Sequence, residues 1–118
     1  MKYRALIVDD ERIIVNGIMR LPIWLSLDIE PVPAMTGLQA LELMEQYRFD
    51  LIITDIRMPE MDGLQLCAWV REHCPRTQII LLTGFPDFEY AQQAWSLWRP
   101  TMHSQRMRRD RRANVFMS

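Results

Sequence analysis

Short, continuous apolar runs that end in polar residues constrain this chain most. Three of them lie in residues 3–8, 49–54 and 78–82, and each is rich in Ile, Leu and Val. Runs of this length are too short for helices, and strands that are buried on both faces of a parallel sheet have this continuous apolar pattern. We therefore expect these runs to be the central strands of one parallel sheet.

The segments between the runs carry helical patterns. Apolar side chains recur at helical spacing in residues 11–21, 36–44 and 64–74, and a fourth helix is expected at 86–98, after a proline in its first turn. Residues 27–34 form a weaker strand whose two prolines suit only a sheet edge. Strands and helices therefore alternate, which predicts an α/β fold, a doubly wound parallel sheet with helices on both faces.

Composition and the apolar pattern indicate the number of domains and the cellular compartment of the protein. A chain of 118 residues, 49% of them hydrophobic, supports one domain whose core needs no disulfide. No apolar run approaches the roughly 18 residues of a membrane span, and the acids at 9–11 interrupt the first run too early for a signal peptide. With Cys67 and Cys74 as its two cysteines, the protein is expected in the cytoplasm, without a membrane partner.

Polar side chains follow the three central strands. Asp9 and Asp10 come after the first strand, Asp55 after the second and Thr83 after the third. Since ligands bind outside the carboxyl ends of parallel strands, we expect these side chains to meet at one edge of the sheet. Carboxylates brought together raise one another's pKa unless a cation neutralises them, and Mg²⁺ suits a few carboxylate oxygens and waters. The pattern predicts Mg²⁺ as cofactor and a phosphoryl group as substrate.

Asp55 is the best-placed nucleophile for such a group. An aspartate at a strand end can form an acyl phosphate while a metal ion screens the charge on the transferred group. The competing interpretation is that acids at strand ends only cap the helices that follow them. We prefer that interpretation for Glu11 and prefer the functional one for the three aspartates.

Five stretches around these acids form a recognisable pattern: Val8-Asp9-Asp10-Glu11, Ile53-Thr54-Asp55-Ile56-Arg57-Met58-Pro59, Met61-Asp62-Gly63, Leu81-Leu82-Thr83-Gly84 and Phe85-Pro86-Asp87-Phe88-Glu89-Tyr90-Ala91. They resemble the receiver domains of two-component response regulators, over residues 3 to about 94. The resemblance is strongest to regulators with an AraC-type helix-turn-helix output domain; no such domain is visible in these 118 residues.

The resemblance implies a flavodoxin-like receiver fold and a phosphorylation reaction. Asp55 would accept a phosphoryl group from the phosphohistidine of a sensor histidine kinase, and the Thr83 hydroxyl would turn toward the new phosphate. Such a domain is a signalling phosphoacceptor, not an enzyme, and controls transcription through an output domain. The implied Mg²⁺ ligands are the side chains of Asp9, Asp10 and Asp55 and the backbone carbonyl of Arg57.

The C-terminal part departs from the family pattern. The positions where the family has an aromatic residue and a lysine hold Met102 and Gln105. Residues 99–118 carry six arginines against one aspartate, whereas residues 1–98 carry eight basic side chains against fourteen acids. We expect a receiver domain in 1–98 and an atypical arginine-rich tail in 99–118, with the usual fifth strand and fifth helix absent or aberrant. We interpret the tail as a frameshifted or otherwise aberrant end of a longer gene, in preference to an evolved basic tail.

Three other functions stay open from sequence alone. A receiver-like domain that acts by protein contact without phosphorylation fits the missing lysine. A phosphatase of the haloacid dehalogenase type needs a second aspartate two positions after the nucleophile, where this chain has Arg57. A nucleic-acid binder needs aromatic residues among its arginines, and Phe116 is the one aromatic residue in the tail, so no direct DNA binding is expected.

The oligomeric state is a separate question. A sheet edge left without its fifth strand favours a homodimer.

Overall fold

A computed structural model describes residues 2–83, except the side chain of Thr83, and the backbone of residues 113–117. The predicted helix at 86–98 lies outside the described residues. The elements, in chain order, are β1 (Tyr3–Val8), α1 (Arg12–Met19), the one-turn helix α2 (Ile23–Ser26), β2 (Ile29–Ala34), α3 (Gly37–Gln46), β3 (Leu51–Asp55), α4 (Gly63–His73), β4 (Gln78–Thr83) and β5 (Ala113–Met117).

The strands form one parallel sheet in the order β2-β1-β3-β4-β5. Val8 of β1 pairs with Thr54 of β3, and Thr54 pairs with Leu81 of β4. The three central strands therefore end at the same edge, and β2, with its two prolines, lies at the side of the sheet as predicted. The predicted doubly wound α/β fold is confirmed.

Both faces of the sheet are covered by apolar side chains. Leu6 and Ile7 are neighbours that point to opposite faces, and both have no exposed surface. Leu6 belongs to a cluster with residues of α3 and α4, and Ile7 belongs to a second cluster with Val15 of α1 and Trp24 of α2. Burial on both faces explains why the strand sequences are continuously apolar.

The α1–β2 connection contains a helical turn that the sequence pattern did not predict. Trp24 of α2 is 6% exposed, and its Nε1–H donates to the Ile18 carbonyl at 2.6 Å. Asp28 adopts a φ of 57° and accepts a hydrogen bond from the backbone N–H of Tyr3 at 3.1 Å. The buried indole of Trp24 thus stabilises the α1–β2 connection.

The fifth strand of the sheet lies inside the arginine-rich tail. The sequence left the fifth strand absent or aberrant, and the structure has a strand at Ala113–Met117, inside the arginine-rich tail. Its backbone pairs with β4 from Ile79 beside Ala113 to Thr83 beside Met117. A strand needs only about five residues, and the Val115-Phe116-Met117 stretch has the apolar, β-favouring character that the preceding arginines lack.

The helices within residues 2–83 are short, and α4 is the longest of them at 11 residues. None of these described helices is long and apolar enough to cross a bilayer.

Candidate functional site

Two strand ends bring three carboxylates to one edge of the sheet. Asp9 and Asp10 directly follow β1, and Asp55 is the last residue of β3. Because Val8 and Thr54 pair in register, the residues that follow them are held side by side. One carboxylate oxygen from each of the three aspartates lies within 4.8 Å of the other two. We call these three residues the acidic cluster.

The backbone around the acidic cluster fixes two of its side chains. Asp9 is 4% exposed, and its Oδ1 accepts a hydrogen bond from the Glu11 N–H at 2.9 Å. Asp55 is half-buried, and its Oδ1 accepts from the Ile56 N–H at 2.8 Å. Asp10 is exposed, which leaves the cluster open to solvent on one side.

The electrostatics of the cluster favour a bound cation. Burial raises the pKa of Asp9 from its ordinary value to about 6, and the charges of Asp55 and Asp10 raise that pKa as well, although the hydrogen bond from Glu11 lowers it. A divalent ion among these oxygens would remove the repulsion. Three carboxylates beside open solvent are the hard oxygen donors that Mg²⁺ takes together with waters. The residues present therefore fit the ion.

The start of α4 packs directly on the end of β3. Gly63 donates its N–H to the Ile56 carbonyl at 2.7 Å, and a Cβ at Gly63 would collide with the backbone carbonyl of Asp55. Only a glycine permits this approach. The close approach at Gly63 thus holds the backbone of Asp55 against the first turn of α4.

The loop between Asp55 and α4 is fastened at its far end. Asp62 caps α4, since its Oδ1 accepts from the Gln65 N–H at 2.8 Å while the Gln65 Oε1 accepts from the Asp62 N–H at 3.0 Å. Glu60, near the middle of the loop, has a φ of 67°, a left-handed conformation that favours glycine. The Met61 backbone lies so close to Gly37 that a Cβ there would sit 2.7 Å from the Met61 carbonyl oxygen.

The other predicted site residues are placed less completely. Arg57 is exposed and lines an open pocket of about 360 Å³ beside the cluster, together with Asp10 and Asp62. Thr83 ends β4, one residue after Leu82, which pairs with Asp55, so its backbone reaches the same edge. The Thr83 side chain lies outside the described part of the chain, and the role predicted for its hydroxyl stays a prediction. Met102 and Gln105 also lie outside it.

Comparisons with known proteins agree on one family. The family model described as the response regulator receiver domain matches residues 5–97. The chain is 41% identical over 93 residues to YesN, an uncharacterized transcriptional regulatory protein of Bacillus subtilis (strain 168), with 78% of this chain and 25% of that protein covered. It is 36% identical over 90 residues to the transcriptional regulatory protein HptR of Staphylococcus aureus (strain NCTC 8325 / PS 47), with 75% and 34% covered. The chain thus spans a quarter to a third of these relatives.

Solved structures give the same result. The REC domain of AraT, a response regulator from Geobacillus stearothermophilus, is 42% identical and superposes with a TM-score of 0.75, covering 82% of this chain and 76% of that one. A two component transcriptional regulator AraC from Clostridium phytofermentans ISDg is 31% identical with a TM-score of 0.71, covering 75% and 73%. The predicted resemblance, including its AraC-type character, is confirmed.

Proposed function

This chain belongs to the response regulator receiver domain family, and from that premise we propose that Asp55 is its phosphoacceptor and a sensor histidine kinase its phosphoryl donor. Receiver domains are signalling domains of two-component systems, generally not enzymes, and the homologues of this chain are transcriptional regulators. One observation carries the proposal for this particular chain: the carboxylates of Asp9, Asp10 and Asp55 lie within 4.8 Å of one another although they come from two strands.

The proposed reaction needs one bond made and one broken. An Asp55 carboxylate oxygen attacks the phosphorus of the phosphohistidine; the P–N bond breaks, its electron pair returns to the imidazole, and an acyl phosphate remains on Asp55. The Ile56 N–H bond to Asp55 orients the carboxylate for this attack. Mg²⁺, when bound by the three aspartates and the Arg57 carbonyl, supplies charge neutralisation for the transferred group.

The response to phosphorylation is expected to be weak. In this proposal the Thr83 hydroxyl turns toward the new phosphate and shifts the adjacent loop. The chain has no lysine after Lys2, so the family lysine that would pair with the phosphoryl oxygens is missing and the coupling lacks its cation. We propose that residues 1–98 act as the receiver domain in the cytoplasm and that residues 99–118 are an atypical tail. The output domain would lie outside these residues, and the chain itself would contact no DNA. The homodimer expected from an uncovered edge of the sheet loses that support, because β5 pairs with β4.

Intact-mass spectrometry after incubation with acetyl phosphate and Mg²⁺ tests this proposal. The chain should gain one phosphoryl group, about 80 Da, and Asp55→Asn should gain none. Asp62→Asn is the matched control, since that carboxylate lies in the same loop and Asn also caps helices well; it should be phosphorylated like the parent. A gain of mass in Asp55→Asn, or a gain that persists in EDTA, would contradict the proposal.

One alternative keeps a specific observation in its favour. The absence of the family lysine suits a receiver-like domain that acts by protein contact alone, and this alternative predicts no mass gain in a chain shown by circular dichroism to be folded. The phosphatase of the haloacid dehalogenase type loses its support, because the chain belongs to the receiver family and has Arg57 where that enzyme needs an aspartate.

A further inference from the structure

A second pocket lies at the opposite edge of the sheet from the acidic cluster. It is an open cavity of about 500 Å³ between the last turns of α3 and α4 and the segments that lead into β3 and β4. Its lining comes from residues 44–49 and 73–77. Small-ligand sites in proteins have volumes of roughly 300–1,000 Å³, so this cavity has room for a compact molecule. We call it the basal pocket.

The floor of the basal pocket is apolar and is formed by buried residues of the domain. Phe49 and Thr77 are 3% and 6% exposed, and the Thr77 Oγ1–H donates to the Phe49 carbonyl at 2.8 Å. That hydrogen bond joins the two segments that lead into β3 and β4. The Thr77 hydroxyl therefore donates its proton within the protein and not to a ligand. Met44 and Cys74 add half-buried apolar surface, so the floor presents mainly carbon and sulfur to a ligand.

The rim of the basal pocket carries two arginines that have no charged partner in the described part of the chain. Arg48 and Arg76 are exposed, and neither guanidinium has an ion pair or a hydrogen bond among residues 2–83. Arg4 nearby is different, because it pairs with Glu30 at 3.4 Å and lies over the Tyr47 ring. Glu45 is the acid in the lining, so the two guanidinium groups outnumber the carboxylates.

We propose that the basal pocket binds a small amphipathic carboxylate. Its apolar body would lie over Phe49 and Met44, and its carboxylate would meet the guanidinium groups of Arg48 and Arg76, whose planar donor geometry matches a carboxylate. A small molecule fits better than a protein partner, because the cavity has the volume of a small-ligand site, whereas a stable protein interface spreads over about 800 Å² on each side. This site is independent of phosphorylation at Asp55.

Nitrogen-15 NMR of the full chain, titrated with 4-phenylbutyrate, tests the proposal. Amide shifts should concentrate in residues 44–49 and 73–77 and leave residues 9–11 unmoved. The uncharged analogue 4-phenyl-1-butanol should bind at least tenfold more weakly, since it cannot form an ion pair with the arginines. Arg48→Ala/Arg76→Ala should lose the same factor. Arg12→Ala/Arg20→Ala removes two exposed arginines at the two ends of α1 and should bind like the parent.

Three results would overturn the inference. Equal affinity for 4-phenyl-1-butanol and 4-phenylbutyrate would mean that the arginines do not recognise the carboxylate. Shifts that persist unchanged in the double variant, with the rest of its spectrum intact, would place the ligand elsewhere. Tighter binding of a capped peptide of alternating phenylalanine and glutamate would assign the pocket to a protein partner. Asp55→Asn should bind 4-phenylbutyrate normally, so failure of the phosphorylation proposal and failure of this one are distinguishable.

Discussion

Gly63, the first residue of α4, packs against the backbone carbonyl of Asp55, the last residue of β3, so closely that no side chain fits between them. The contact ties the position of the proposed phosphoacceptor to the helix that follows it. A change at Gly63 should therefore affect both stability and chemistry.

Gly63→Ala should destabilise the domain by about 1–3 kcal/mol, the usual cost of overpacking, and should slow phosphorylation by acetyl phosphate. Gly17→Ala is the matched control, because nothing lies within 4 Å of a Cβ there and the residue is inside α1; it should stabilise by about 0.5–1 kcal/mol. Urea denaturation checks both values. Equal effects of the two substitutions would show that the Gly63 contact has no structural weight.

Asp9→Asn should stabilise the metal-free protein at pH 8 while removing Mg²⁺ binding. The pKa of Asp9 is raised in the folded state from 3.8 to about 6, so ionisation costs folding free energy, and the parent loses stability as the pH rises from about 4 to above 6. Allowing for solvent screening, we expect a gain of about 1–2 kcal/mol in the variant at pH 8 that vanishes near pH 4. Urea denaturation of the parent and the variant in EDTA, at both pH values, measures this difference in the free energy of unfolding. A gain of equal size at pH 4 would rule out this explanation.

Mg²⁺ affinity should fall as the solution is acidified, because the ion competes with the proton on Asp9. With a pKa of about 6, roughly a tenth of the Asp9 side chains are ionised at pH 5 and most are ionised at pH 7, which predicts about tenfold weaker binding at pH 5. Isothermal titration calorimetry at the two pH values is the measurement. A constant affinity would contradict either the raised pKa of Asp9 or its role as a ligand.

Glu60→Gly should stabilise the loop after Asp55, because Glu60 has a φ of 67° and glycine adopts that conformation without strain. We expect a gain of up to about 1 kcal/mol, part of the left-handed cost being offset by the larger entropy of the unfolded chain. Glu60→Ala keeps the Cβ and should give no such gain. Thermal denaturation of both variants decides the point, and equal melting temperatures would refute the backbone argument.

Much of the central fold could be predicted from the sequence. The range 3–8 for the first strand agrees with β1, and the predicted helix start at Thr36-Gly37 agrees with α3, where the Thr36 Oγ1 accepts from the Gln39 N–H at 3.0 Å. These features depend on local signals, namely apolar runs and a capping side chain. The convergence of the three aspartates followed from strand order alone.

The features that the sequence did not reveal depend on contacts distant in the chain or on very short elements. Helix α2 has four residues, too few to show a helical period. Strand β5 is defined by pairing with β4, about thirty residues earlier in the chain. The raised pKa of Asp9 follows from burial. The lining of the basal pocket includes Arg48 and Arg76 from two separate loops, which no local pattern indicates.

Locating the phosphoryl group tests the central claim most directly. After phosphorylation with acetyl phosphate and Mg²⁺, borohydride reduces an aspartyl phosphate to homoserine, which is about 14 Da lighter than aspartate. Trypsin should then release residues 49–57, a peptide that contains both Asp50 and Asp55. We predict the loss of mass at Asp55 and an unchanged Asp50 in the same peptide. Reduction at Asp50, Asp9 or Asp10 with Asp55 intact would contradict the account.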